Sequence, residues 1–393
     1  MAGPLKVMLV ATEASADALG AGLAAALKAR LGEGGVSFIG VGGGRMAAEG
    51  IQSLFSIADL SMVGLVEIAP AVPRVVRRLL QIVQLGVEQQ PDVAVLIDSW
   101  FFNYLLALGL RRRAPKMALI KYAAPQVWAM RPGRARALAR SVDHLMTLFG
   151  FEARYFEAEG LATTFVGSPT LSASFTGVDV GAMRAEIGAE AGEQILLILP
   201  GSRPSEIKRI LPPFEEAAMR LRDARPNLRL VVAAAETVAD VVKSRVAGWR
   251  HRAHVVEGDA ARKAAMCAAT VALTKSGTVT TELAMAGCPI VVGYKANPLT
   301  AMIGLAIAQV KYLTLFNIAA GEAVAPEFIQ RDMTPDKLAA AVAALLDDPA
   351  RRAAQIAAQN AALAKLGVGA PDPFGAAADV VIRLMRERGW DGA

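Results

Sequence analysis

Two cysteines and three histidines in 393 residues leave this chain poorly supplied for disulfide or transition-metal chemistry. Cys267 and Cys288 sit among small or apolar neighbours, Met266-Cys267-Ala268 and Gly287-Cys288-Pro289, and read as buried free thiols. His251 and His254 have the spacing of a helical ligand pair, but the segment around them supplies no carboxylate or thiol, so no metal is expected there. Although 54% of the chain is hydrophobic, no run reaches the roughly 18 apolar residues that a spanning helix needs. The first residues carry one lysine and a short strand-like run in place of a charged start and a long apolar core, so a cytoplasmic location is expected. Aromatics make up only 6% and do not interleave with basic residues, so no nucleic-acid platform is expected despite a net charge of +6.

What the chain has is an alternation of short apolar runs with helical periodicity. Lys6 to Ala11, Val36 to Val41, Val93 to Ile97, Met117 to Tyr122 and Leu145 to Leu148 read as buried strands, with a helix over Ala18 to Arg30. A second series starts at Ile195 and continues through Leu228 to Ala233, Ala253 to Val256, Val271 to Leu273 and Ile290 to Tyr294. This alternation predicts crossover units and largely parallel sheets covered on both faces. The length exceeds the usual limit for one core. The pattern weakens between Gly167 and Gly192, which marks the interdomain segment. From about Thr334 onward the chain is alanine-rich and helical in period, with a break at Gly367 to Pro373. The predicted fold class is α/β, with domains at 1–170 and 171–345 and C-terminal helices over 346–393. Functional groups in such sheets sit at strand C-termini.

Two turns in the second half have the chemistry of an anion site. The run Ile195 to Leu199 breaks into Pro200-Gly201-Ser202-Arg203, and Val271 to Leu273 leads into Thr274-Lys275-Ser276-Gly277-Thr278 before a helix containing Glu282. Free N–H groups at helix starts, together with the dipole, favour an anion, and two such turns suit a diphosphate. Arg203 can fork onto phosphate oxygens. Glu282 lies about one helical turn past Thr278, where a carboxylate can accept from ribose hydroxyls. The predicted ligand is a nucleotide diphosphate.

The first half offers different groups. Thr12 to Asp17 contain no glycine, which disfavours a nicotinamide cofactor. Glu13, Ser15 and Asp17 there either face a ligand or cap the helix that follows. Asp98 ends the strand Val93 to Ile97, where a partly dry setting raises a carboxylate pKa and suits it as a general base; the alternative is that it caps the next helix. The loop Tyr122 to Arg134 combines prolines, large apolar side chains and guanidinium groups. It can pack an acyl chain and pair a phosphate, or it is a structural loop. An apolar loop from Leu60 to Ile68 precedes a helix bearing Arg74, Arg77 and Arg78, which reads either as an interfacial docking element or as a core helix with a solvated arginine face. The apolar stretch Leu299 to Leu315 is either core or lipid-facing.

These stretches, in this order, resemble the lipid-A-disaccharide synthase family from Glu13 to about Gln330. The pieces that carry the resemblance are Glu13-Ala14-Ser15 with Asp17, Gly40-Val41-Gly42-Gly43 with Arg45-Met46, Val63-Gly64-Leu65-Val66-Glu67, Ile97-Asp98, Pro125-Gln126-Val127-Trp128-Ala129, Leu199-Pro200-Gly201-Ser202-Arg203 with Glu206, Ser276-Gly277-Thr278 with Glu282, and Val291-Val292-Gly293-Tyr294. The resemblance implies a GT-B fold, two Rossmann-like domains whose parallel sheets face across a cleft. It implies inverting transfer of 2,3-diacylglucosamine from its UDP derivative to 2,3-diacylglucosamine 1-phosphate, giving a β-1,6 disaccharide and UDP, without cofactor or metal. In that reading Asp98 is the catalytic base, and Arg203, Ser276, Gly277, Thr278 and Glu282 bind the UDP-sugar. Glu13, Ser15, Asp17, Asn103, Gln126 and Arg131 lie on the acceptor side. The resemblance further implies peripheral binding to the cytoplasmic face of the inner membrane and C-terminal helices that return to the first domain; a homo-oligomer is left open.

The chain departs from the family pattern mainly on the acceptor side. Ala16 replaces a glycine, and its methyl is expected to intrude where backbone approaches ligand. Ser99-Trp100-Phe101-Phe102-Asn103 replaces Ala-Pro-Asp-Phe-Asn, Phe149-Gly150-Phe151-Glu152 replaces Leu-Pro-Phe-Glu, and Gly167-Ser168-Pro169 replaces Gly-His-Pro. Leu315-Phe316-Asn317-Ile318 stands where Leu-Pro-Asn-Leu is usual. The alternatives are a diverged paralogue with another acceptor and a non-catalytic nucleotide-sugar or lipid-binding protein.

Overall fold

The computed structural model describes residues 3–57, 68–128, 133–172, 174–297, 310–369 and 372–392, with only the backbone taken for 68–71. It divides into two compact units, Met1–Pro169 with Ala370–Ala393, and Thr170–Gly369. The first unit is built on strands β1 (Leu5–Ala11), β2 (Val36–Val41), β3 (Val93–Ile97), β4 (Ala118–Tyr122), β5 (His144–Thr147) and β6 (Thr163–Phe165). They form one parallel sheet in the order β2-β1-β3-β4-β5-β6. Helices α1 (Ala14–Leu31), α2 (Gly44–Ala48), α3 (Ile68–Gln89), α4 (Trp100–Arg113), α5 (Gly133–Ala139) and α6 (Ala153–Glu157) alternate with the strands.

Every residue of β3 and β4 is buried, the result expected when helices cover both faces and the strand sequence runs continuously apolar. The chain order reverses between β1 and β3, and Ala11 pairs with Ile97 at that point, so the two strands end level. A crevice beyond the carboxyl ends at such a reversal is where open α/β sheets bind ligands. Thr12 and Glu13 follow one strand there, and Asp98 follows the other. Gly40 is needed for β2 to pair: its φ is +146°, and a Cβ would stand 1.9 Å from the Leu9 carbonyl oxygen.

The second unit repeats the plan. Strands β7 (Ile195–Leu199), β8 (Arg229–Ala234), β9 (His254–Glu257), β10 (Val271–Lys275), β11 (Ile290–Tyr294) and β12 (Glu327–Ile329) form a parallel sheet in the order β12-β11-β10-β7-β8-β9. The reversal falls between β10 and β7, where Thr274 pairs with Leu199. Helices α7 (Val180–Glu186), α8 (Pro204–Ala224), α9 (Ala239–Ala247), α10 (Asp259–Ala268) and α11 (Thr278–Met285) pack around the sheet, followed by α12 (Leu315–Ala320). Phe214 of α8, fully buried, lies in the core with Leu196, Ile198 and Val291.

The C-terminal stretch divides between the units. Helices α13 (Pro335–Asp347) and α14 (Pro349–Leu366) stay with the second, where Gln355 bonds both backbone groups of Ile290 at 3.2 and 2.9 Å. Gly367 ends α14 in the left-handed conformation, φ +97°. Only the last helix, α15 (Pro373–Glu387), belongs to the first unit; Arg30 of α1 meets its Asp379 at 3.0 Å.

Candidate active site

In the second unit the two anion-friendly turns are tied together. Gly201 follows β7 with φ +127°, and a Cβ there would lie 2.5 Å from Glu206 Oε2. Glycine lets the chain fold back over the first turn of α8. Glu206 accepts from the Ser202 N–H at 3.0 Å and from Lys275 Nζ at 3.1 Å, and Lys275 is the last residue of β10. Burial raises the Glu206 pKa, but the Ser202 amide and the Lys275 ammonium outweigh it and hold the carboxyl below its ordinary value. The strut between the turns is therefore an ion pair.

A cavity of ≈ 350 Å³ opens at these carboxyl ends, lined by Gly201, Ser202, Ala235, Arg262, Lys275 and Thr278 among others. Arg262 of α10 pairs with Glu282 at 2.9 Å and with Asp259 at 2.6 Å. Of the residues predicted for the nucleotide, Thr278 lines the cavity and Glu282 reaches it through Arg262. Arg203 is exposed at the N-cap of α8, Ser276 Oγ donates to the Leu313 carbonyl at 3.4 Å, and Gly277 precedes α11 in extended backbone.

In the first unit Asp98 and Ser99 take φ of +52° and +38°, two consecutive non-glycine residues in the left-handed region. Such backbone is strained and persists only where its surroundings over-determine it. Here Asn103 Nδ2 donates to the carbonyls of Ile97 (2.9 Å) and Asp98 (2.8 Å). Lys121 Nζ donates to the carbonyls of Asp98 (2.6 Å) and Tyr122 (3.1 Å). Asp98 is half-buried, and its carboxylate caps no amide of α4 among the described residues; Ser99 is the N-cap and makes no side-chain bond either. The capping alternative for Asp98 is thus not realised. Lys121 and Asn103 are 2% and 1% exposed, so Asn103 reinforces the turn from inside. Burial pushes the Lys121 ammonium down to about 7 and the Glu152 carboxyl up to about 7. Glu152 accepts from the Phe149 N–H at 3.1 Å and Trp128 Nε1 at 3.4 Å.

Residues 7–370 match the protein family described as lipid-A-disaccharide synthetase. A lipid-A-disaccharide synthase of Paramagnetospirillum magneticum is 45% identical over 383 residues, 97% of this chain and 98% of that protein. The chain belongs to the lipid-A-disaccharide synthase family. In fold it is similar to the calicheamicin glycosyltransferase CalG4, with a TM-score of 0.60 at 16% identity over 98% of this chain and 99% of that one. It is also similar to MnaA of S. aureus, in a co-structure with UDP, with a TM-score of 0.57 at 14% identity over 98% and 96%. The fold is GT-B, and the protein is a glycosyltransferase.

For a lipid-A-disaccharide synthase family member, the acceptor-side residues are unevenly disposed. Asp17 is 4% exposed, and its carboxylate accepts from the backbone N–H groups of Gly43 (2.6 Å), Arg45 (3.0 Å) and Met46 (3.1 Å). It caps α2, a helix elsewhere in the sequence, in place of the helix it opens. Glu13 and Ser15 are exposed at the start of α1, and Gln126 is exposed after β4. Arg131, the loop 60–67 and 299–309 of the apolar stretch lie outside the described residues. The Ala16 methyl does not intrude on the crevice: Ala16 is fully buried in the first unit's core, because its side chain turns into the sheet. Of the two rings added after Asp98, Trp100 stacks on Tyr104 at 5.2 Å and Phe101 is 70% exposed, while Phe102, where the family pattern also has Phe, is in the core.

Sequence reasoning missed Lys121, Glu152, Arg262 and the Lys275–Glu206 pair. Lys275 and Glu206 sit within quoted motifs, but nothing in their spacing signals that they meet. The histidines also find partners that the local segment did not show. His251 meets Asp223 at 2.5 Å and His254 meets Glu186 at 3.1 Å, as two separate surface contacts. Cys288 is buried, whereas Cys267 is only partly so.

Proposed function

We propose that this chain transfers 2,3-diacylglucosamine from its UDP derivative to the 6-hydroxyl of 2,3-diacylglucosamine 1-phosphate, with Asp98 as general base. The observation that carries the assignment of the base is a half-buried aspartate at the strand-order reversal of the first sheet, on a strained turn, whose carboxylate caps no helix among the described residues. Asp98 takes the proton of the acceptor hydroxyl as its oxygen bonds to the anomeric carbon. The bond from that carbon to the diphosphate breaks on the opposite side, which inverts the configuration, and UDP carries away the electron pair. General-base help of this kind is worth roughly 10² to 10⁴ in rate.

The second unit supplies the complement for the departing diphosphate. The cations Lys275 and Arg262 and the first two residues of α11, Thr278 and Val279, line one cavity at the reversal of its sheet, beside Gly201 and Ser202 of the turn that leads into α8. Preorganised donors and cations stabilise charge as it develops on the leaving group. We assign Thr278, which lines that cavity, and Arg203, Ser276 and Gly277, next in sequence to its lining residues, as phosphate contacts, and Glu282 to the ribose. The UDP bound in the MnaA co-structure supports a uridine diphosphate ligand for a fold of this kind.

Val72, Val76 and Leu80 are about half exposed along one face of α3, beside exposed Arg74 and Arg77. This surface supports peripheral docking to an anionic bilayer on the cytoplasmic side, where apolar residues enter the interface and arginines meet lipid phosphates. Among the described residues no helix is long and apolar enough to cross a membrane.

The test is mass-spectrometric detection of disaccharide from the two lipid substrates, with Asp98→Asn beside the wild type. Disaccharide from the wild type and a loss of about 10²-fold or more in the variant support the reading. UDP binding without any disaccharide would sink it and point to another acceptor.

A further inference from the structure

We propose that Lys121 is a positioning residue for Asp98, holding it in the left-handed conformation through the bond from its ammonium to the Asp98 backbone carbonyl. The proposal rests on the reading of Asp98 as the base. The remaining residues of β4, Ala118, Leu119, Ile120 and Tyr122, are buried and uncharged, and an aliphatic side chain would be the natural occupant of the position between Ile120 and Tyr122. A buried ammonium is costly unless it is paired and hydrogen-bonded. Among the described residues no carboxylate lies within ion-pair distance of Lys121 Nζ; its hydrogen bonds go to the carbonyls of Asp98, at 2.6 Å, and Tyr122. Asp98 and Glu152 attract the ammonium from beyond ion-pair distance without cancelling the cost of its burial, and locally the charge fixes two carbonyls, one of them that of Asp98.

That carbonyl belongs to the residue with φ +52°, and it receives two donors, Lys121 Nζ and Asn103 Nδ2. The Asp98 N–H is tied in turn to the Tyr122 carbonyl at 2.9 Å, next to Lys121 in sequence. Both polar groups of the Asp98 backbone are thus anchored on β4 or α4, and its side chain is left to the crevice. A misplacement of a base by a fraction of an ångström is costly in rate, because the reacting atoms must meet in a near-attack geometry.

The test is the full-length enzyme carrying Lys121→Met, assayed for disaccharide alone and combined with Asp98→Asn. We expect kcat to fall about tenfold or more while KM for the UDP-sugar and affinity for UDP change by less than about twofold. In the Asp98→Asn background the same change should alter the residual rate by less than about twofold, because the residue it positions has already been disabled. A folded Lys121→Met enzyme with wild-type kcat overturns the proposal, as does an equal loss in both backgrounds. Should Lys121→Met not fold, Lys121→Gln decides, since its amide is about one bond too short to reach the Asp98 oxygen; a wild-type kcat in that variant overturns the proposal too. If Asp98→Asn itself retains full activity, the assignment of the base fails, an outcome distinct from an inactive Asp98→Asn beside a fully active Lys121→Met.

Discussion

Asp17→Asn separates a supporting role from a substrate contact at a residue that the family pattern places on the acceptor side. In the wild type Oδ1 accepts from Gly43 and Met46, and Oδ2 accepts from Arg45. Asparagine keeps one oxygen and turns an N–H₂ toward one of these amides, so at least one charge-assisted bond is lost and a donor faces a donor. Hydrogen bonds to charged groups contribute about 1.5–3 kcal/mol each, and a buried amide left unpaired adds to the loss. We take about 2 kcal/mol as the expected destabilisation of the first unit, which at about 2–4 °C per kcal/mol for a domain of this size is a fall of about 4–8 °C in its transition. Two units rule out a single two-state fit, so calorimetry should be accompanied by amide hydrogen exchange, reading the protection of Gly43, Arg45 and Met46 directly. The capping argument predicts loss of protection at these amides, with kcat reduced less than by Asp98→Asn. A variant that melts within about 1 °C of the wild type, keeps those amides protected and loses about 10²-fold in kcat would refute it, and would return the Asp17 carboxylate to the substrate.

Lys275→Met breaks the tie between the β7–α8 and β10–α11 turns; the dissociation constant for UDP should rise about tenfold by isothermal titration, with the first unit's melting unchanged. The stability of the first unit should pass through a minimum near neutral pH. Glu152, raised by burial to about 7 from 4.5, contributes stability that is full below pH 4.5 and is lost as pH rises through 7. Lys121, lowered by burial to about 7 from 10.5, favours the folded state increasingly as pH rises from 7 to 10.5 and withdraws that support as pH falls through 7. Urea midpoints that change in one direction across this range would contradict the pair of assignments. Leu80→Glu should abolish sedimentation with anionic vesicles while leaving turnover of detergent-dispersed substrate intact; unchanged sedimentation would exclude the α3 face as the docking surface.

The interior of each sheet is legible in the sequence because strands covered on both faces must be continuously apolar. Val36–Val41, Val93–Ile97 and Ile290–Tyr294 can be read with the ends that the structure gives them. The edge strands Thr163–Phe165 and Glu327–Ile329 are three residues long and only half-buried, so they have neither a run nor an alternation to detect. The turns after β3, β7 and β10 are legible because each is a small or polar residue set that stops a buried strand. Their supports are not. Asp17 looks like a cap for its own helix, yet its amides lie 26 to 29 residues away. Lys121 reads by residue type as a solvent-facing lysine, and only the fold reveals an oxygen waiting for it. Arg262 belongs to no motif at all, and it becomes visible when α10 brings it to Glu282.

The charges at the candidate site of each unit are used in opposite ways, which bears on what each unit can do. In the first unit Asp17 and Lys121 are nearly inaccessible and spend their hydrogen bonds on backbone groups, so they fix loop geometry and have little left for a ligand. In the second unit Glu206, Lys275, Arg262 and Glu282 are partly exposed and paired with one another. An ion pair at a cavity wall can exchange partners: a diphosphate arriving beside Lys275 and Arg262 competes for cations that already face carboxylates, and the carboxylate released from Arg262 becomes free to accept a hydroxyl. Rigidity is what a general base needs, because its position sets the attack geometry. Replaceable partners suit a diphosphate ligand, since the carboxylates paired with Arg262 and Lys275 can compete with it for the same cations.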